Sequence, residues 1–180
     1  RGEISTRENM ETQFNMITAP PAEIRAWLRT RPLRTGAKEF IQLCRRRGVP
    51  FHLLSDGLDF YIAPILETHG LSDVTYYANC AHVNKKGRWR IETGHNNALC
   101  GQHGCCKCQL MERLDPGHAA TRVYIGDAYS DLCPSRRADL LFARDVLAEH
   151  CRKTGREFTL FADFDEIAER LWQAGPSAQR

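Results

Sequence analysis

No apolar run in this sequence approaches the roughly 20 residues a membrane-spanning helix needs, so a transmembrane helix and a membrane partner are excluded. No signal peptide opens the chain. It starts Arg1-Gly2-Glu3 without an initiator Met, which reads as a mid-sequence start, and the expected compartment is cytoplasmic. There is no internal repeat and no low-complexity segment. Basic residues crowd between Arg25 and Arg47 (Arg29, Arg31, Arg34, Lys38, Arg45 and Arg46 among them) against Glu39 alone. The patch lacks the recognition features of a nucleic-acid interface, so it reads as solvated helix faces and no nucleic-acid partner is expected. A disulfide framework is also missing. Of the eight cysteines, Cys44, Cys80, Cys133 and Cys151 are scattered through apolar or helical contexts, and Cys100, Cys105, Cys106 and Cys108 bunch in one loop. A chain of 180 residues needs no such staples, and a reducing environment is the simpler reading.

What is present is an ordinary globular mixture, 42% hydrophobic and 26% charged with a net charge of +3, enough to bury a real core. Ser5 with Glu8 fits a capping box, followed by a helical stripe of Met10, Phe14 and Ile17. Pro20-Pro21 starts a second helix with Ile24, Trp27 and Leu28 on one face, ending before Pro32; a third runs from about Gly36 to Arg47. The pattern then changes. Pro50 to Leu54 reads as a strand buried on both faces, and Ser55-Asp56-Gly57 as the turn into a helix that Gly70 stops. Val74 to Cys80 and Arg88 to Ile91 read as a hairpin about Asn84-Lys85-Lys86-Gly87. A helix at Lys107 to Leu114 and a strand at Arg122 to Ile125 follow, then Gly126-Asp127 and another helix. Last come a strand at Asp139 to Phe142, a helix from Asp145 to Cys151, a short strand at Phe158 to Phe161 and a helix from Asp163 to Ala174. Such alternation predicts an α/β fold whose parallel sheet is covered by helices.

In an open parallel sheet, ligands bind where strands end. Two of the most polar turns fall there. Asp127 and Asp131, across a glycine turn, are spaced to face one cavity and hold a hard cation through oxygen. The Ser55 hydroxyl and the backbone amides of Asp56 and Gly57 suit a phosphate oxygen, with Lys107 neutralising further phosphate charge. Taken singly, Ser55 and Asp127 also look like helix caps and Lys107 like a surface charge. The cysteine loop offers soft ligands for tetrahedral Zn²⁺, with Cys100, Cys105, Cys108 and His103 the candidate set. Its spacing is irregular, and the competing reading is a cysteine-rich loop that positions Lys107.

The order strand-Ser-x-Gly, then Lys opening a helix, then strand-Gly-Asp-x-x-x-Asp resembles three motifs of the haloacid dehalogenase phosphatases, in their phosphoserine phosphatase-like branch. Leu53 to Tyr61, Gly104-Cys105-Cys106-Lys107, Tyr124-Ile125-Gly126-Asp127 and Phe142-Ala143-Arg144-Asp145 resemble the methionine-salvage phosphatases of 2-hydroxy-3-keto-5-methylthiopentenyl-1-phosphate. The resemblance implies a Rossmann-like core and hydrolysis of a small phosphorylated metabolite through an aspartyl-phosphate intermediate. By it, Ser55 bonds the transferred phosphoryl group, Lys107 stabilises nucleophile and intermediate, Asp127 ligates Mg²⁺ and Asp131 supports the site beside the metal. Residues 1–31 correspond to a remnant of the helical cap, 32–175 to the core with a hairpin and Cys-rich loop at 74–108, and 176–180 to a tail.

One expected motif is missing. These enzymes open with a strand ending Asp-x-Asp-Gly-Thr, which carries the nucleophile, and that sequence occurs nowhere here. Asp163-Phe164-Asp165-Glu166 is the nearest in appearance, but it lacks Gly-Thr and reads as the cap of the last helix. The expectation is therefore a truncated sequence, inactive by itself. A phosphoserine-like substrate, or a non-catalytic and zinc-binding protein on the same frame, are the alternatives.

Overall fold

A computed structural model describes residues 6–95 and 104–172, so Ser5 of the expected capping box, Cys100 and His103 lie outside the described residues. The chain divides into two units, residues 1–32 with 52–113, and 33–51 with 114–180. No helix among the described residues is long and apolar enough to cross a membrane.

The first unit carries α1 (Thr6–Phe14), α2 (Pro21–Leu28), β1 (His52–Leu58), α4 (Asp59–Thr68), β2 (Thr75–Val83), β3 (Trp89–Glu92) and α5 (Lys107–Leu114). β1 pairs parallel with β2, and β2 antiparallel with β3, in the sheet order β1-β2-β3. The expected hairpin is present: Asn84 Oδ1 accepts the Lys86 and Arg88 amides at 2.9 and 3.1 Å, and Gly87 takes the left-handed φ of 71° that closes the turn. Leu28, Leu58, Phe60, Trp89 and Ile91 form the core, with Met10, Phe14 and Ile24 packed against it. Trp89 meets Phe60 and Phe14 edge-on at 4.6 and 5.3 Å, pairs worth about 0.5–1.5 kcal/mol each beyond their burial.

Two expected core positions are corrected. Helix α1 stops at Phe14, so its periodicity does not reach Ile17, which is 41% exposed. On α2 the core takes Ile24 and Leu28, one turn apart, and leaves Trp27 56% exposed with the Arg31 guanidinium 4.4 Å over its ring.

Helix α1 and the residue that follows it supply what the third strand lacks at its edge. Asn15 Nδ2 donates to Trp89 O at 3.1 Å, its Oδ1 accepts from Trp89 N at 3.0 Å, and Glu11 accepts from Ile91 N at 3.0 Å. One side chain of α1 and one from the turn after it thus stand in for a neighbouring strand. The Ile91 amide, with Arg7 and Arg90, holds the Glu11 carboxyl below its ordinary value of 4.5 against the opposing effect of burial. Asn15→Ala is expected to cost about 2 kcal/mol, because both backbone groups of Trp89 lose their partner. The Glu11 contribution is full above pH 4.5 and disappears as pH falls through the lowered folded value. Urea titrations of the unaltered chain, Asn15→Ala and Glu11→Gln at neutral and acid pH check both: the Asn15→Ala loss persists at each pH, whereas Glu11→Gln matters at neutral pH alone.

The second unit contains α3 (Ala37–Arg46), β4 (Val123–Gly126), β5 (Leu140–Ala143), α6 (Asp145–Thr154), β6 (Thr159–Leu160) and α7 (Phe164–Trp172). Its sheet is parallel, in the order β4-β5-β6. Leu141, Phe142 and Ala143 are buried in succession, as a central parallel strand requires. Phe40, Cys44, Phe142, Phe161 and Ile167 gather α3, β5 and α7 around one core. Asp163 caps α7 as expected, its Oδ1 accepting from the amides of Asp165 and Glu166 at 3.0 and 3.1 Å.

The α/β class with parallel pairing and covering helices holds. Three local expectations do not. β1 is half-buried rather than enclosed on both faces, because it has a ladder partner on one side only among the described residues. The helix expected after Asp127 is replaced by two 3₁₀ turns, Tyr129–Asp131 and Pro134–Arg137. Cys80 and Cys133 are exposed rather than packed in apolar surroundings.

Candidate active site

Ser55-Asp56-Gly57 is not a turn after the strand but a distortion within it. Leu54 pairs with Tyr77 and Leu58 with Asn79, so four residue steps on β1 answer two on β2. Such a bulge bends the strand and re-aims its side chains. Ser55 Oγ accepts the Gly57 amide at 3.0 Å, which fixes the hydroxyl oxygen and commits that amide to the serine. Glycine is required at 57 because a Cβ there would overlap the Tyr61 hydroxyl and come within 3.0 Å of Ser55 Oγ. Burial raises the Tyr61 phenol above its ordinary value, with Asp56 adding to the effect and the Leu58 backbone opposing it.

The Asp56 carboxylate and carbonyl are held by β2 and by the segment before α5. Asp56 Oδ1 accepts the Cys105 amide at 2.9 Å and Asn79 Nδ2 at 3.4 Å, while its carbonyl accepts Asn79 Nδ2 at 2.8 Å. Asn79 is fully buried, and its Oδ1 has no hydrogen-bond partner, a condition that costs about 1–3 kcal/mol. Through Cys105 this network reaches the start of α5, where Lys107 is only 8% exposed. An ammonium group at a helix N-terminus opposes the helix dipole, and burying it adds a desolvation cost. The structure therefore brings Ser55, Asp56, Gly57 and Lys107 into one unit. It adds Asn79 and Tyr61, which sequence reasoning did not single out for chemistry. Asn79 lies within a strand and Tyr61 on an otherwise apolar helix, so neither stands out without the fold.

In the second unit, β4 delivers Gly126 and Asp127 into a loop organised by Asp131. The buried Asp131 carboxylate, 3% exposed, accepts the amides of Asp127 and Ala128 at 2.9 Å each and the Tyr124 hydroxyl at 2.7 Å. A Cβ on Gly126 would stand 2.8 Å from the Asp131 carboxyl carbon, so only glycine lets the carboxylate fold back this closely. This tight ring, with Pro134 after it, explains why 3₁₀ turns replace the expected helix. Asp127 itself is exposed on a backbone that Asp131 fixes. Its carboxylate suits one oxygen position of Mg²⁺, which takes further ligands from water and phosphate. Asp131, with three donors on its oxygens, acts as support.

The zinc expectation finds no support in the structure. Cys105 and Cys108 are buried, and burial pushes the Cys105 thiol up to about 11, with Asp56 adding to the rise and Lys107 opposing it. The thiol stays protonated near neutral pH and donates to Tyr77 O at 3.8 Å. Among the described residues no group of three or more His, Cys, Asp or Glu is placed to hold a metal ion.

Comparison with known proteins gives a consistent result. Residues 8–161 match the family described as "Putative Phosphatase". Over 171 residues the chain is 31% identical to the bifunctional enzyme MtnB/MtnX of Bacillus licheniformis, covering 94% of this chain and 40% of that protein. Over 146 residues it is 33% identical to the 2-hydroxy-3-keto-5-methylthiopentenyl-1-phosphate phosphatase of Brevibacillus brevis, covering 78% of this chain and 64% of the relative. The chain thus spans less than two thirds of either relative. Among solved structures, a phosphoserine phosphatase with a phospho-aspartyl intermediate analogue superposes with a TM-score of 0.66 at 20% identity. That match covers 94% of this chain and 79% of the other, and it establishes the haloacid dehalogenase fold. With the family match spanning residues 8–161 and these relatives beside it, the chain belongs to this phosphatase family of the haloacid dehalogenase superfamily.

Proposed function

We propose that the whole protein hydrolyses a phosphomonoester of a small metabolite with the help of Mg²⁺, and that its substrate is the methionine-salvage compound 2-hydroxy-3-keto-5-methylthiopentenyl-1-phosphate. The buried Lys107, tied through Cys105 and Asp56 to the bulge that carries Ser55, is the observation that carries this reading. Such an ammonium group suits a phosphoryl group, whose transfer depends on positioning and charge neutralisation more than on proton chemistry. Ser55 bonds a phosphoryl oxygen, Lys107 neutralises the charge that develops, and Asp127 holds Mg²⁺ while Asp131 keeps its loop in shape. Bound Mg²⁺ supplies charge neutralisation to the phosphate oxygens.

In this reading an aspartate attacks phosphorus, the alcohol departs with its oxygen, and water then releases inorganic phosphate from the acyl phosphate. The motif for that aspartate is not within these 180 residues, so the activity is proposed for the whole protein. The methylthiopentenyl substrate is preferred over phosphoserine because relatives 32–33% identical carry that name, whereas the phosphoserine phosphatase likeness at 20% identity speaks for the fold alone.

The test is phosphate release by the full-length product of this reading frame, from a panel including phosphoserine and the methylthiopentenyl phosphate, with and without Mg²⁺. Metal-dependent turnover of the latter, lost in Asp127→Asn, is the expected result. A folded full-length protein that releases phosphate from no member of the panel would overturn the proposal.

A further inference from the structure

We infer that Asn79 and Asp56 form a positioning latch that sets Lys107 in register with Ser55, so that both side chains govern the rate of phosphoryl transfer without touching the substrate. The inference rests on the phosphatase reading above and adds a role for two side chains that the reading does not use.

Three segments distant in sequence meet at this latch. From β2, the Asn79 amide group donates to both the carbonyl and the carboxylate of Asp56, at 2.8 and 3.4 Å. From β1, the same carboxylate oxygen takes the Cys105 amide at 2.9 Å, two residues before Lys107. The orientation of Asn79 is fixed, since only its Nδ2 can face two acceptors. Its Oδ1 is thereby turned inward without a partner, against Gly104, where a Cβ would stand 2.6 Å away. A fully buried Asn with an unsatisfied acceptor is a poor way to stabilise a strand. Apolar side chains serve that purpose better. What the arrangement does achieve is a rigid link from the residue after Ser55 to the residues before Lys107. A displacement of about 1 Å at such positions lowers turnover by about 10²-fold without contact at the reacting atoms.

The experiment compares Asn79→Ala, Asp56→Ala, the double variant and Asp56→Asn in the full-length protein, with p-nitrophenyl phosphate as the probe. Each alanine variant is expected to lower kcat by about 10- to 100-fold with KM changed by less than about threefold. The double variant is expected to be no worse than the more damaged single one, because both break one link. Asp56→Asn keeps an acceptor for the Cys105 amide and recovers most of the rate. Unchanged kcat in folded alanine variants, or losses that simply multiply in the double variant, overturns the latch. Where Asn79→Ala does not fold, Gly104→Ala reads the same contact: a matching fall in kcat supports the latch and an unchanged kcat refutes it. No turnover by the unaltered protein of this ester or of any member of the panel above sinks the phosphatase reading instead. The latch is then read from hydrogen exchange at the Cys105 amide, whose protection falls in Asp56→Ala if the link exists and stays the same if it does not.

Discussion

Lys107→Met is expected to lower phosphate release by about a thousandfold in the full-length protein while the fold survives. The side chain is 8% exposed, so its methylenes already lie in a packed environment that a Met side chain of similar length can fill. The substitution removes the charge with little change in volume. What is lost, on the function proposed above, is the cation that would meet the phosphoryl oxygens, and one such preorganised group is worth about 10²- to 10³-fold or more. Lys107→Arg is not expected to rescue the rate, because a bulkier planar guanidinium does not fit the buried position of a compact ammonium. Steady-state kinetics with p-nitrophenyl phosphate, paired with thermal unfolding, checks the prediction. A Met variant that melts normally and keeps its rate within tenfold would reduce Lys107 to a packing residue.

The reach of the sequence is clearest where local chemistry decides the outcome. Asn84 and Gly87 close the hairpin through contacts within a few residues, and Asp163 caps α7 in the same local way, so both are legible in the chain itself. The apolar run of β5 announces a buried parallel strand for a similar reason. Ser55-Asp56-Gly57 is different. Its composition says turn, but its conformation is set by pairing with Tyr77 and Asn79 on β2, a long-range fact absent from the local pattern. Trp27 illustrates a second limit: on a short helix the core can take either of two adjacent stripes, and tertiary packing chose Ile24 and Leu28. The candidates Asp127 and Asp131 stand out by their place in the loop after β4, and Ser55 and Lys107 by motif order alone. Asn79 does not, because one polar residue in a strand carries no signal until its burial is known.

Asp131→Ala is expected to destabilise the second unit by about 3 kcal/mol or more, and Asp131→Asn by only about 1 kcal/mol. The carboxylate takes the Asp127 and Ala128 amides on one oxygen and the Tyr124 hydroxyl on the other. Alanine leaves all three donors without that partner, and Tyr124 is itself buried, so water cannot readily replace the lost acceptor. Asparagine keeps the shape. Its carbonyl oxygen can accept both amides, and its amide nitrogen can donate to the phenolic oxygen of Tyr124. The difference between the two variants separates hydrogen-bond geometry from charge. Urea titrations of the three proteins, followed by a probe in the second unit, measure it directly. Equal damage from Ala and Asn would mean that the negative charge of Asp131, rather than the ring of hydrogen bonds it closes, holds the Gly126-Asp127 loop. With the ring as the cause, the Asn variant also keeps Asp127 exposed and correctly placed, so Mg²⁺ activation of the full-length protein should persist in it and be lost in the Ala variant.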